Sequence, residues 1–206
     1  MGALADKKYA AAARAVVADR AETTHLCVVD DGGNAVSLSH TLGSASGVVT
    51  AGLGFGYNDY MNCFDPRPGR PNSIAPGKRA LTNMCPVVVA RDGRPWFGVD
   101  ASGGRKILGA VLQMASFIVD FGMDPETAAH HPRIDVSGND RVGIDRRLAA
   151  PIIERLSSQP GATLVEHTVY PSRFACPNLV LRGPDGLTHG ISDVMSPWSA
   201  AVAELD

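Results

Sequence analysis

Glu22-Thr23-Thr24-His25-Leu26-Cys27-Val28-Val29-Asp30 runs into Asp31-Gly32-Gly33-Asn34 and out through Ala35-Val36-Ser37-Leu38-Ser39-His40-Thr41. The flanks alternate polar and apolar residues, the period-two signature of strand, and the Asp/Gly/Asn cluster between them is turn chemistry. The spacing predicts a β-hairpin. Upstream, residues 4–20 contain neither Gly nor Pro and are rich in Ala, Lys and Arg, which predicts a helix that stops near Ala21-Glu22. Two threonines therefore stand where helix gives way to strand. A threonine hydroxyl is a poor nucleophile unless a base adjoins it. An α-amino group, with a pKa of about 7.7–8.0, is such a base when the threonine is itself a chain terminus. The tripeptide alone leaves a second reading open, in which Thr23 and Thr24 are ordinary strand formers.

Beyond the hairpin, residues 43–77 are dense in Gly, Pro and Asn and carry no strong periodicity. So long a connection inside a compact domain is often a functional loop. A second hairpin is predicted from Cys85–Ala90 and Pro95–Asp100 around Arg91-Asp92-Gly93-Arg94. After Gly103-Gly104, apolar residues Ile107, Leu108, Val111, Leu112, Ala115, Ile118 and Val119 predict the longest helix, closed by Gly122. Asp124-Pro125-Glu126 opens a short helix, Asp being a good cap and Pro a good first helical residue. Leu148–Leu156 reads as another. Strands are expected at Thr163–Val169, Asn178–Leu181 and Leu187–Ile191, the last two around Gly183-Pro184-Asp185-Gly186. Strands, then helices, then strands again predict an α+β layer structure without repeats or a second-domain linker.

The composition sets outer limits. The 206 residues are 45% hydrophobic and 19% charged, with 22 Gly and 14 Pro, as in a globular chain and unlike a collagen, a coiled coil or a disordered tail. A globule of this length hides about 70% of its chain surface on folding. Nineteen basic and 21 acidic side chains leave a formal charge of −2, so there is no basic excess to neutralise a phosphate backbone, and nucleic acid is not an expected partner. No apolar run reaches the eighteen or so residues of a membrane span. Asp6, Lys7 and Lys8 occupy the place of a signal peptide's apolar region. If Met1 is the true start the expected location is cytoplasmic; a missing upstream region opens a periplasmic or secreted one.

Common chemical motifs fail. Cys27, Cys63, Cys85 and Cys176 lie far apart with no metal-ligand spacing and read as small buried hydrophobes, so neither a metal nor an organic cofactor is expected. Gly43-Ser44-Ala45-Ser46-Gly47 displaces its serine from the nucleophile-elbow position, and Gly103-Gly104-Arg105-Lys106 lacks the spacing of a phosphate loop. His130-His131 has no HExxH companion and reads as a surface or capping pair.

Read together, Thr23-Thr24-His25, Val28-Val29-Asp30, Gly33-Asn34-Ala35-Val36, Thr41, Pro76-Gly77-Lys78-Arg79-Ala80-Leu81-Thr82-Asn83-Met84 and Gly103-Gly104 resemble, in order, the small subunit of γ-glutamyltranspeptidases. The resemblance runs over about residues 4–200. It implies an N-terminal-nucleophile hydrolase with an αββα four-layer sandwich, made as a precursor that cuts itself before a threonine. The cut would fall between Glu22 and Thr23. Residues 1–22 would then be the tail of the large subunit and residues 23–206 the small-subunit-like domain. The resemblance makes Thr23 the nucleophile and its freed amine the base. It makes Thr41 the second threonine, which hydrogen-bonds the nucleophile; the residues alone would allow Thr41 to be a simple cross-strand partner. Gly103 and Gly104 match the pair whose N–H groups form the oxyanion hole, although a tight turn would ask for glycine as well.

The same resemblance places substrate-binding positions at Gly43, Tyr60, Cys63, Thr82 and Asn83. Thr82 and Asn83 stand for a Ser-Ser pair that contacts the substrate carboxylate. Gly43 stands for an Asn, and Tyr60 and Cys63 for the Gln and Asp that grip the γ-glutamyl ammonium. Losing a carboxylate that holds an ammonium forfeits about 1.5–3 kcal/mol. The implied activity is an amide acyltransferase or hydrolase acting on a γ-glutamyl or other small amide, with the large subunit as heterodimer partner. Two rivals remain: a divergent amidohydrolase acting on a different amide, and a noncatalytic subunit that keeps only the fold.

Overall fold

The structure, a computed structural model, describes residues 23–138, 140–166, 168 and 173–203. The helix expected at 4–20 lies outside them. Strands β1 (Thr23–Val29) and β2 (Ala35–Thr41) are the first hairpin; β3 (Val87–Arg91) and β4 (Arg94–Ser102) are the second. Helices α1 (Ile107–Val119) and α2 (Pro125–His130) follow, then β5 (Ile134–Gly138), β6 (Arg141–Asp145), α3 (Ala150–Ser157), β7 (Ala162–Val165), β8 (Cys176–Arg182) and β9 (Thr188–Ser192). The helix and strand content is mixed, as the α+β expectation requires. Three sheets form: β1-β2, β3-β4-β8-β9 and β5-β6-β7.

Among the described residues the chain divides into two compact units, one of Thr23 with residues 41–82 and one of residues 24–40 with 83–203. In the first, residues 42–82 carry little regular structure. A 3₁₀ turn at Tyr60–Cys63 and isolated bridges, Val49 with Gly56 and Asp65 with Ser73, organise a loop tied by its own side chains. Ser73, buried at its centre, accepts from the Arg70 N–H at 2.7 Å and donates to the Arg67 carbonyl at 2.5 Å.

The second unit is built on β4. The strand's period-two alternation sends Phe97, Val99 and Ala101, all 0% exposed, to one face. There they join Leu179 and Leu181 of β8 and Ile107, Ala110, Val111, Met114 and Ile118 of α1 in the core, with Ala128 and Ala129 of α2 beside them. The other face of β4 presents Gly98 and Asp100 to the β1-β2 hairpin: a Cβ on Gly98 would lie 3.1 Å from Cys27 Sγ, and Asp100 accepts from Ser39 Oγ. Helices, the four-stranded sheet and the hairpin are thus three stacked layers. In register, β4 pairs antiparallel with β8, Asp100 opposite Asn178 and Ser102 opposite Cys176.

Several expectations shift in detail. The core side of α1 is Ile107-Ala110-Val111-Met114-Ile118, while Leu108 and Leu112 are 60% and 69% exposed. The apolar sequence pattern spans two faces, and the small Ala110 lies on the one that meets the sheet. Strand β7 ends at Val165, short of the expected Val169, a position outside the described residues. The β5-β6 hairpin is not among the expected elements: Ile134, Val136, Val142 and Ile144 alternate in the sequence, but flanking charges and Gly143 break the apolar signal. Asp124 caps α2 as predicted, accepting from the Thr127 hydroxyl at 2.5 Å and the Thr127 N–H at 2.9 Å, which hold its carboxyl below the usual carboxylate range. Of the surface and capping readings the capping one holds: His130 ends α2 and His131 is its C-cap residue, both half-buried, and His131 packs on Phe117 with ring centroids 4.6 Å apart. Of the four cysteines only Cys176 is fully buried, and all are free thiols.

Because Phe97 fills the centre of this core, Phe97→Ala should lower unfolding stability by about 3–5 kcal/mol. Chemical denaturation should show this as a lower midpoint at unchanged slope.

Candidate active site

The threonines predicted as nucleophile and partner meet in the first unit. Thr23, first residue of β1, donates from Oγ1 to Thr41 Oγ1 at 3.3 Å, and Thr41 Oγ1 also accepts from the Gly43 N–H at 2.9 Å. Both threonines are half-buried. Gly43 sits at φ +67°, and a Cβ there would fall 1.9 Å from Asp59 Oδ1. Asp59 is not free to retreat, since Oδ1 accepts from Ser44 N–H and Oδ2 from Asn62 Nδ2, each at 2.9 Å. An Asn at position 43 is therefore excluded unless that anchor breaks. Asp59 was not among the expected residues; only its place in a Gly/Asn-rich loop pointed to it.

Tyr60 and Thr82 are also brought together: Tyr60 Oη donates to Thr82 Oγ1 at 2.5 Å. Cys63 ends the 3₁₀ turn, half-buried, its carbonyl accepting from Asn72 Nδ2 at 2.6 Å. Asn83, half-buried, belongs to the second unit.

So do Gly103 and Gly104. They stand at φ +148° and +60°, backbone that favours glycine, at the joint where β4 turns through a short 3₁₀ segment into α1. A Cβ on Gly103 would lie 2.7 Å from Ala175 Cα and Cβ. A helix N-terminus offers unpaired N–H groups and the positive end of the helix dipole, so this joint suits a developing oxyanion.

Along the inward face of the hairpin the second unit holds a buried polar row that sequence reading did not single out. His25 Nδ1 meets Ser39 Oγ at 3.2 Å, His25 Nε2 meets Cys27 Sγ at 3.0 Å, and Cys27 Sγ donates to Ser37 Oγ at 3.6 Å. Asp100 Oδ2 lies 3.7 Å from His25 Nδ1 and accepts from the Cys85 N–H at 3.3 Å; both the His25 and Asp100 side chains are 0% exposed. Burial outweighs the Asp100 charge and holds the His25 imidazole below its ordinary pKa, and it pushes the Cys27 thiol up to about 11. Cys27 is thereby a poor nucleophile. A lone Asp inside the apolar run Phe97–Ala101 was the signal for this row. Among the described residues, no cluster of His, Cys, Asp and Glu is arranged to hold a metal ion.

The structure is similar to that of a γ-glutamyltranspeptidase from Pseudomonas nitroreducens complexed with L-DON, at a TM-score of 0.72 and 28% identity, covering 88% of this chain and 100% of that one. In sequence the chain is 37% identical over 151 residues to the acylase ACY 1 proenzyme of Pseudomonas sp. strain V22, covering 66% of this chain. It is 29% identical over 188 residues to the glutathione hydrolase proenzyme of Escherichia coli K12, covering 85% of this chain. It spans 27% and 32% of the lengths of those two relatives. The profile of the gamma-glutamyltranspeptidase family matches residues 3–203, and the chain belongs to that family.

The buried imidazole gives a pH signature. With its folded pKa below the unfolded value of about 6.5, the unfolded chain binds the proton more readily. Stability from neutral His25 is complete above about pH 6.5 and declines as pH falls below it. Melting temperature should therefore drop between pH 7 and 5, and His25→Gln should flatten that part of the profile.

Proposed function

We propose that this chain carries the small-subunit-like part of an N-terminal-nucleophile amide acyltransferase or hydrolase, residues 23–206, with residues 1–22 as the tail of a large subunit. The observation that carries the reading is the Thr23 hydroxyl held on Thr41 Oγ1 at 3.3 Å at the first residue of β1. Cleavage of the Glu22–Thr23 bond would free the Thr23 amine, whose pKa of about 7.7–8.0 suits a base at neutral pH. The amine takes the hydroxyl proton and Oγ1 attacks the substrate amide carbon. In the family pattern that Gly103 and Gly104 match, the N–H groups of such a glycine pair receive the charge on the tetrahedral oxygen. The amine returns its proton to the leaving nitrogen, and water or an acceptor amine then releases the acyl group from Thr23.

A large-subunit partner is supported by two further observations. This chain spans only 27% and 32% of the two proenzymes named above, and the outward face of the hairpin is apolar. Leu26, Val28, Val36 and Leu38 are 44–52% exposed there, a surface of the kind that marks an interaction site. With the missing layer supplied by that partner, the three layers of the second unit would become the four-layer αββα sandwich. No helix among the described residues is long and apolar enough to cross a membrane.

For the substrate, the loop favours an acyl group without the γ-glutamyl ammonium. Cys63 offers a thiol where a carboxylate would be needed, and the Thr82 hydroxyl is engaged by Tyr60. The 37% identity to an acylase points the same way.

Thr23→Ala should leave the intact mass of the precursor unchanged over time and abolish turnover; a Thr23→Ala protein that still cleaves or turns over would sink the assignment. With paired anilides differing only in the α-amino group, glutaryl-anilide should be preferred over γ-glutamyl-anilide in kcat/KM. Cys63→Asp should move that ratio toward the γ-glutamyl compound by about 10- to 100-fold, the equivalent of one regained charge-assisted bond.

A further inference from the structure

Arg133 is 2% exposed and paired at 3.1 Å with Asp193, which is equally buried. Its Nη1 donates to the Ala129 carbonyl at 2.9 Å and its Nη2 to the Ala175 carbonyl at 3.2 Å as well as to Asp193 Oδ2. Asp193 in turn accepts from the Met195 N–H at 2.9 Å and donates its own N–H to the Pro177 carbonyl at 3.0 Å. The Arg133 carbonyl accepts from Asp145 N–H at 3.1 Å, where β6 ends. One guanidinium therefore ties the end of α2, the segment entering β8 and the turn after β9.

Stability does not explain this pair. Two desolvated charges cost roughly what their attraction returns, Arg133 Nε is left without a partner, and a well-packed apolar pair is often as stable. A planar guanidinium fork does supply fixed geometry. The point it fixes is Ala175, directly before the first residue of β8, whose Cα and Cβ stand 2.7 Å from where Gly103 would carry a side chain. Ala175 is the wall against which the glycine turn is set. In the ladder, Ser102 pairs with Cys176, so Gly103 and Ala175 lie just past the last paired rung, where strand pairing no longer holds either.

We infer that Arg133 is a positioning residue for the Gly103-Gly104 turn, acting through the Ala175 carbonyl and held in place by Asp193. Its catalytic consequence rests on the proposed oxyanion role of that turn; its structural part does not. Without the fork, Ala175 gains freedom to shift, and the two glycine amides shift with it.

The experiment is ¹H–¹⁵N NMR on the full chain. Arg133→Lys keeps the charge and removes the fork: the Gly103 and Gly104 cross-peaks should move and broaden while β3 and the distal half of β4 keep their positions. Ala175→Gly leaves the guanidinium bonds in place and removes the wall, and it should move the same two peaks. In the enzyme assembled with its large subunit, Arg133→Lys should lower kcat by about 10- to 100-fold with KM nearly unchanged, the split expected of a displaced oxyanion donor. Should Arg133→Lys fail to fold, Asp193→Asn and Ala175→Gly give the same readout. Unmoved Gly103 and Gly104 peaks in a folded variant, or changes spread evenly over β4 and β8, overturn the inference. Displaced peaks with an unchanged kcat uphold it and overturn the oxyanion reading instead.

Discussion

Strand β4 separates two environments that cannot mix, and the second unit depends on that separation. On one side Phe97, Val99 and Ala101 are removed wholly from water against α1. On the other, Asp100 is equally removed from water and must find its hydrogen bonds inside the protein. Ser39 and the Cys85 backbone provide them, with His25 Nδ1 3.7 Å away, which seats the hairpin on that face. Gly98, next to Asp100, lets the hairpin come close enough for those bonds to form.

Seating the polar side of the hairpin inward reverses the usual arrangement of an amphipathic ribbon. The row Thr23·Thr41, His25·Ser39 and Cys27·Ser37 is linked pair by pair by hydrogen bonds, while Leu26, Val28, Val36 and Leu38 stay in contact with solvent. The apolar side is then available to another polypeptide. The desolvation of His25 is the cost of that choice, and the reason the imidazole prefers its neutral form.

The residues proposed to carry the chemistry stand at ends of regular elements: Thr23 and Thr41 at the outer ends of β1 and β2, Gly103 and Gly104 between β4 and α1. Ends carry backbone groups unspent on the ladder or the helix, so function can use them without weakening the scaffold. The loop around Gly43 is held differently, by the Asp59 carboxylate bridging Ser44 and Asn62. That anchor leaves no room for a side chain at position 43.

Much of this was legible in the sequence alone. Alternation over 23–41, the Asp124-Pro125 cap and the Gly103-Gly104 break each act through local backbone preference, and the ordered motifs placed the chain in its family. Local patterns could not decide which face of a pattern turns inward. The alternation of the first hairpin does not say that Leu26, Val28, Val36 and Leu38 lie outside, nor does the apolar pattern of α1 say that Leu108 and Leu112 are exposed. Nor could they reveal Asp100 beneath His25, or Arg133 behind Ala175, because those partners are separated by tens of residues and meet only when sheet register and helix packing are set. Sequence determined the elements and the candidate nucleophile. Tertiary structure decided which side of each element is buried, since burial is a property of what packs against a residue and not of the residue itself.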